Sequence, residues 1–134
     1  VPRACGRVLV VDDSQVIRHL IRVILELDGF EVMTAADGVE CLEAVPEFHP
    51  DVITLDVVMP RLDGLRTAER LRDDPSTGGI PLMLVSASPL GERCPPVDAV
   101  VTKPFDPADL VRRVRRLSDE GRAGAVRLAK SMAG

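Results

Sequence analysis

Arg7 to Ser14 reads RVLVVDDS, an aliphatic run that ends without transition in two aspartates and a serine. Four apolar residues in succession, Val8 to Val11, leave no face for water, so Arg7 to Val11 is expected as a buried strand. The period then changes. Val16, Ile17, Leu20, Ile21, Ile24 and Leu27 recur at helical spacing between Gln15 and Asp28, with Asp13 or Ser14 placed to cap the first amides and Gly29 just past the end. A buried strand feeding a helix through a polar elbow is the unit whose repetition settles the fold.

The unit recurs along the chain. Phe30 to Ala35 reads as a second strand, and after an Asp37-Gly38 turn Val39, Leu42 and Val45 mark a shorter helix that Pro46 is expected to stop. Val52 to Leu55 is a third strand ending at Asp56, and Leu65, Ala68 and Leu71 mark a helix after the loop VVMPRLDG. Leu82 to Val85 supplies a fourth strand ending at Ser86, and Ala99 to Thr102 a fifth ending at Lys103-Pro104. Asp106 then caps a last helix with Pro107 in its first turn and Leu110, Val111, Val114 and Leu117 inward. Such alternation implies an α/β fold with a parallel sheet covered on both sides, whose ligands sit beyond the carboxyl ends of the strands.

With 134 residues, 46% of them hydrophobic and 28% charged, the chain is the size of one globular domain and needs neither metal nor disulfide for stability. A net charge of −4 argues against nonspecific binding to nucleic acid or an anionic membrane, and three Phe as the only aromatics leave little for stacking bare bases. A protein partner is expected. Cys5, Cys41 and Cys94 lie at no metal-ligand spacing, and with no signal peptide or membrane-length apolar run the sequence reads as reduced and cytoplasmic.

Asp12, Asp13, Asp56, Ser86 and Lys103 each follow an apolar strand on its C-terminal side, so the fold should bring them to one edge. For any single aspartate a strand-end cap without metal is the simpler explanation, but five polar residues at four strand ends weaken it. Two carboxylates about 4 Å apart repel by about 4 kcal/mol at an effective dielectric near 20, so three gather only around cations. Lys103 supplies one, and an oxygen-only set suits a hard divalent ion such as Mg²⁺. The chemistry suggested is phosphoryl transfer onto an aspartate, with the ion and the ammonium absorbing charge and the Ser86 hydroxyl donating a hydrogen bond.

Four motifs in order, VLVVDDS (8–14), LDVVMPRLDG (55–64), VSAS (85–88) and VTKPF (101–105), resemble the response-regulator receiver domain. The resemblance covers about Arg7 to Leu117. It implies a flavodoxin-like, doubly wound five-stranded sheet of order 2-1-3-4-5, with Asp56 as phosphoacceptor and Mg²⁺ held by Asp13, Asp56 and the backbone carbonyl of Val58. Asp12 would act through water, and Ser86 and Lys103 would sense the phosphoryl group across a cis Pro104 peptide. Val58 and Ser88 stand where the family tunes hydrolysis, and both are uncharged.

Only 16 residues separate Ser86 from Lys103, among them Pro89, Pro95 and Pro96, so the fourth helix of the family is expected to be shortened or missing. Val100 replaces the usual aromatic three before the lysine. Residues 1–6 read as an N-terminal extension, 7–117 as the receiver domain and 118–134 as a tail or short helix, with Ala125, Leu128 and Met132 at helical spacing. His19 and His49 have no metal-spaced partners, Cys94 has no assigned role, and Arg112, Arg113, Arg115 and Arg116 read as a solvated face. The expectation is a phosphoacceptor rather than an enzyme. A histidine kinase or phosphotransfer protein would serve it, a downstream protein would read it, and it would be a monomer or weak homodimer with no direct DNA binding, since 17 residues after Leu117 are too few for an output domain unless the chain is excised from a longer regulator. Competing readings are a phosphorylation-independent pseudo-receiver, a Mg²⁺-dependent aspartyl phosphohydrolase, which lacks its second aspartate because Val58 stands there, and a flavodoxin-like electron carrier.

Overall fold

The computed structural model describes residues 6–87 and 97–133, with side chains on the last helix described as far as Glu120. These residues form five strands and four helices in the order β1 Arg7–Val11, α1 Gln15–Leu27, β2 Glu31–Ala35, α2 Gly38–Phe48, β3 Val52–Asp56, α3 Gly64–Asp73, β4 Leu82–Ser86, β5 Ala99–Thr102 and α4 Pro107–Ala133. All strand pairs are parallel, in the order β2-β1-β3-β4-β5. No helix among the described residues is long and apolar enough to cross a membrane.

The strand sequences explain their places. β1, β3 and β4 bury every residue except Arg7, as uniformly apolar runs must, whereas the edge strands β2 and β5 are partly exposed. Alternate side chains divide between two cores. Val8, Val10, Val52, Met83 and Val85 face Ile21 and Leu25 of α1 and Leu110, Val114 and Leu117 of α4. Leu9, Val11, Ile53, Leu55 and Leu84 face Cys41 and Val45 of α2 and Ala68 and Leu71 of α3.

Three elements differ from their sequence patterns. Pro46 does not stop α2, which runs on to Phe48. Proline removes its own amide donor and crowds the carbonyl four residues back, but the His49 amide still reaches the Val45 carbonyl at 3.0 Å, and Phe48 packs on the second core, so the last turn is retained. On α1 the apolar residues exceed one face: Ile21 and Leu25 are buried, but Val16, Leu20, Val23 and Leu27 are exposed, Val16 by 77% and Leu27 by 84%. Beyond Leu117 the chain forms no separate element but prolongs α4, whose first turn is capped by the Asp106 carboxylate accepting from the Ala108 amide at 3.0 Å. The expected loss of a helix between β4 and β5 concerns residues 88–96, which lie outside the described residues, as do Cys5, Ser88 and Cys94. Residues 87, 97 and 98 are not helical.

Candidate functional site

Strand order reverses between β1 and β3, because the chain leaves β1 toward β2 and then returns to the other side of β1. At such a reversal the connecting segments diverge and leave a crevice beyond the carboxyl ends of the strands. Register decides what lines it. Val11 lies beside Leu55, Asp56 beside Val85, and Ser86 beside Thr102, so residues just past these positions emerge at one level.

Asp12, Asp13 and Asp56 converge there, each offering a carboxylate oxygen within 4.8 Å of the others. Asp12 is 1% exposed and held on both oxygens: Oδ1 accepts the Ser14 amide at 2.9 Å and Oδ2 accepts Lys103 Nζ at 3.1 Å. Ser14 also caps α1, accepting from the Ile17 amide at 3.3 Å. Lys103 reaches the site after β5, where its amide donates to the Ser86 carbonyl at 2.8 Å and its peptide to Pro104 is cis. Its ammonium lies 3.4 Å from Asp56 Oδ1, bridging the two buried carboxylates. Asp13 is exposed, and Ser86 is buried beside this edge.

Three carboxylates against one ammonium leave an excess of negative charge. Burial pushes the Asp56 carboxyl up to about 6, with the neighbouring Asp12 charge adding to the rise and Lys103 opposing it. Burial pulls the Lys103 ammonium down, but its bonds to Asp12 and Asp56 prevail and hold it above the usual lysine value. A hard divalent cation would offset this charge, and the all-oxygen donor set fits Mg²⁺ better than a metal that prefers nitrogen or sulfur.

Asp56, Asp12, Asp13, Ser86 and Lys103 are thus brought together as their strand-end positions implied. The Val58 side chain is 78% exposed, and Ser88 is outside the described residues. His19 and His49 are both exposed and neither joins the carboxylate cluster, and burial pushes the Cys41 thiol up to about 12, which leaves it inert. The arginines of α4 make local pairs, Arg112 and Arg113 with Asp109 and Arg116 with Glu120, while Arg115 pairs with Asp28 and lies over the Phe30 ring.

The motif at 55–64 did not show how its loop is held in place. Residues 57–63, which lead from Asp56 to α3, are held against the start of α2. The Gly64 amide donates to the Val57 carbonyl at 2.8 Å, the Gly38 amide donates to the Leu62 carbonyl at 3.1 Å, and Arg61 makes a two-pronged pair with Asp37. A Cβ on Gly64 would stand 2.1 Å from the Asp56 carbonyl oxygen, so only glycine lets α3 begin so close to β3.

The profile of the response regulator receiver domain matches residues 8–115. Response regulator MprA of Mycobacterium leprae is 41% identical over 83% of this chain and 50% of its own length. The DNA-binding dual master transcriptional regulator RpaA of Synechocystis is 35% identical over 83% of this chain and 48% of its own. The chain therefore spans about half the length of the curated relatives it matches. Among solved structures, the chemotaxis response regulator CheY4 of Vibrio cholerae superposes with a TM-score of 0.77 at 31% identity, covering 87% of this chain and 99% of that one.

Proposed function

The chain belongs to the response regulator receiver domain family of two-component signalling, and from that membership and the site's geometry we propose that Asp56 accepts a phosphoryl group from a phosphohistidine. The observation that carries the reading is the Lys103 ammonium spanning Asp12 and Asp56 at the sheet's carboxyl edge. It supports Asp56 as the acceptor, because both oxygens of Asp12 are already held, and it puts a cation beside Asp56 to follow the arriving charge.

In this reading an Asp56 oxygen forms a bond to phosphorus as the phosphorus–nitrogen bond breaks, and the leaving imidazole takes up a proton from solvent. Asp13, Asp56 and the Val58 carbonyl would hold Mg²⁺, with Asp12 contributing through water. Mg²⁺ supplies neutralisation of the phosphoryl oxygens when bound. Ser86 and Lys103 then bind the phosphoryl group, which draws both toward Asp56 and alters the surface around β5 and α4. The exposed Val58 side chain has no group to orient a water, so hydrolysis is slow.

The donor is a histidine kinase or phosphotransfer protein. Val16, Leu20, Val23 and Leu27 lie along α1 at spacings of four, three and four, an apolar seam suited to a helical partner, and it starts beside Asp13. Residues 7–117 form the receiver and residues 118–133 a helical extension of it. A downstream protein reads the phosphorylated state, and the proposed setting is the cytoplasm, where ATP-derived phosphoryl donors are made. DNA binding, named for RpaA, is not assigned to the described residues.

The test is mass spectrometry after incubation with acetyl phosphate and Mg²⁺. One acid-stable, base-labile phosphoryl group is expected on the wild type and none on Asp56→Asn. Equal labelling of the variant would place the acceptor elsewhere.

A further inference from the structure

A carbonyl on a loop can serve as a ligand only if the loop is held, because peptide planes in a free seven-residue segment rotate independently. Residues 57–63 are tied at several points. Gly64 closes the loop onto Val57, the Leu62 amide donates to the Pro60 carbonyl at 2.7 Å, and Met59 and Leu62 are buried. At the apex stands Arg61, whose φ of 63° lies in the left-handed region, unfavourable for a residue with a Cβ. Such a conformation persists only where the surroundings impose it.

Two contacts hold it: the Leu62-to-Pro60 backbone bond that spans Arg61, and a side-chain pair with Asp37. Arg61 Nε donates to Asp37 Oδ2 at 2.7 Å and Nη2 to Oδ1 at 3.1 Å, the fork geometry that lysine cannot reproduce. Asp37 is itself fixed, with a side chain 8% exposed and Oδ1 accepting the Glu40 amide at 2.9 Å as the N-cap of α2. The guanidinium holds the Asp37 carboxyl below the usual carboxylate range against the opposing effect of burial. One residue on, a Cβ at Gly38 would stand 2.1 Å from Thr67 Oγ1 and 2.6 Å from the Leu62 carbonyl oxygen, so the start of α2 is seated directly on the loop.

We propose that Arg61, through Asp37, is a positioning residue that fixes the loop carrying the Val58 carbonyl beside Asp56 and Asp13, and so sets the affinity of the site for Mg²⁺. The inference rests on the reading of that carbonyl as a ligand. Release of the pair frees Arg61 to leave the left-handed region, and the peptide planes between Met59 and Leu62 turn with it. The loop then samples orientations in which the carbonyl of Val58 no longer faces the carboxylates. The carboxylates themselves, placed by β1 and β3, do not move.

The experiment is calorimetric titration of the full chain with Mg²⁺ alone, for wild type, Arg61→Ala, Arg61→Lys and Asp37→Asn, together with thermal unfolding in EDTA. Arg61→Ala is expected to weaken Mg²⁺ binding about three- to tenfold, below the usual effect of losing a partner behind a ligand because Arg61 is half-exposed. Arg61→Lys should recover only part of the affinity. Asp37→Asn, which keeps a capping oxygen, should match Arg61→Ala, and the double variant should be no weaker than either single one. At saturating Mg²⁺ the rate of labelling by acetyl phosphate should return to the wild-type maximum, and the melting temperature in EDTA should change little. Wild-type affinity in Arg61→Ala would overturn the inference while leaving the acceptor role of Asp56 intact. A wild type that binds no Mg²⁺ would remove both. Affinity that falls only as far as the melting temperature predicts would reduce the pair to a structural one and overturn the positioning role.

Discussion

The two faces of the sheet are closed in different ways. On the α2–α3 face the backbones meet: Gly38 and Gly64 admit contacts that no Cβ would allow, and a nearly buried aspartate is paired across the loop. On the α1–α4 face the helices pack through large side chains, with a rim of exposed pairs such as Arg115 with Asp28, and α1 keeps an apolar seam turned outward. Close backbone contact leaves few alternative arrangements and suits a region that must hold a ligand's coordinates. Side-chain contact with spare apolar surface suits a region that another molecule must grip.

The contrast breaks first at Gly64. Gly64→Ala forces a methyl group against the Asp56 carbonyl and should cost about 2–3 kcal/mol of stability in denaturant unfolding, the range of overpacking a tight site. Gly79→Ala, with nothing within 4 Å of the added methyl, should change stability by less than about 0.5 kcal/mol. Similar losses at the two glycines would mean that the loop is no tighter than the surface.

A middle-sized effect concerns the carboxylate cluster between the faces. The Asp56 carboxyl titrates near 6 in the folded protein against 3.8 ordinarily, so between those values the native state holds a proton that the unfolded chain has lost. Native stability from this group therefore falls as pH rises from about 4 to about 6 and stays lowered above that. Asp56→Asn should be more stable than wild type in EDTA by about 1–2 kcal/mol at pH 7.5, with the gain shrinking as pH falls below 6. A gain independent of pH would assign it to packing rather than charge.

The smallest change in stability should come from α1. Leu20→Ser and Leu27→Ser, both at exposed positions, should shift stability by less than about 0.5 kcal/mol and leave labelling by acetyl phosphate unchanged. Phosphotransfer from a protein donor should slow by tenfold or more, as when apolar anchors of an interface are removed. Unaltered transfer from the protein donor would show that the seam is not the gripping surface.

The strands, the sheet and the convergence of Asp12, Asp13, Asp56 and Lys103 were legible because each rests on a local pattern: an apolar run and the polar residue that ends it. Pro46 was misleading because proline's penalty is local, whereas the packing of Phe48 that offsets it is tertiary. The α1 pattern could not say which of its apolar residues face the core, since Val16 and Ile21 share one periodic run. The Arg61–Asp37 pair left no trace at all: an arginine in a loop and an aspartate before a glycine each have an ordinary local reading, and only the fold brings them together across 24 positions.

The length of α4 has a mechanical consequence. Leu117 is its last residue in the described core, and at 1.5 Å per residue the helix carries Ala133 about 24 Å farther on. Over that length angle becomes distance: a tilt of about 5° at Leu117 displaces Ala133 by about 2 Å, roughly a third of a helical turn. Movements too small to reorganise the core around Lys103 would thus register, amplified, on whatever lies along the final turns.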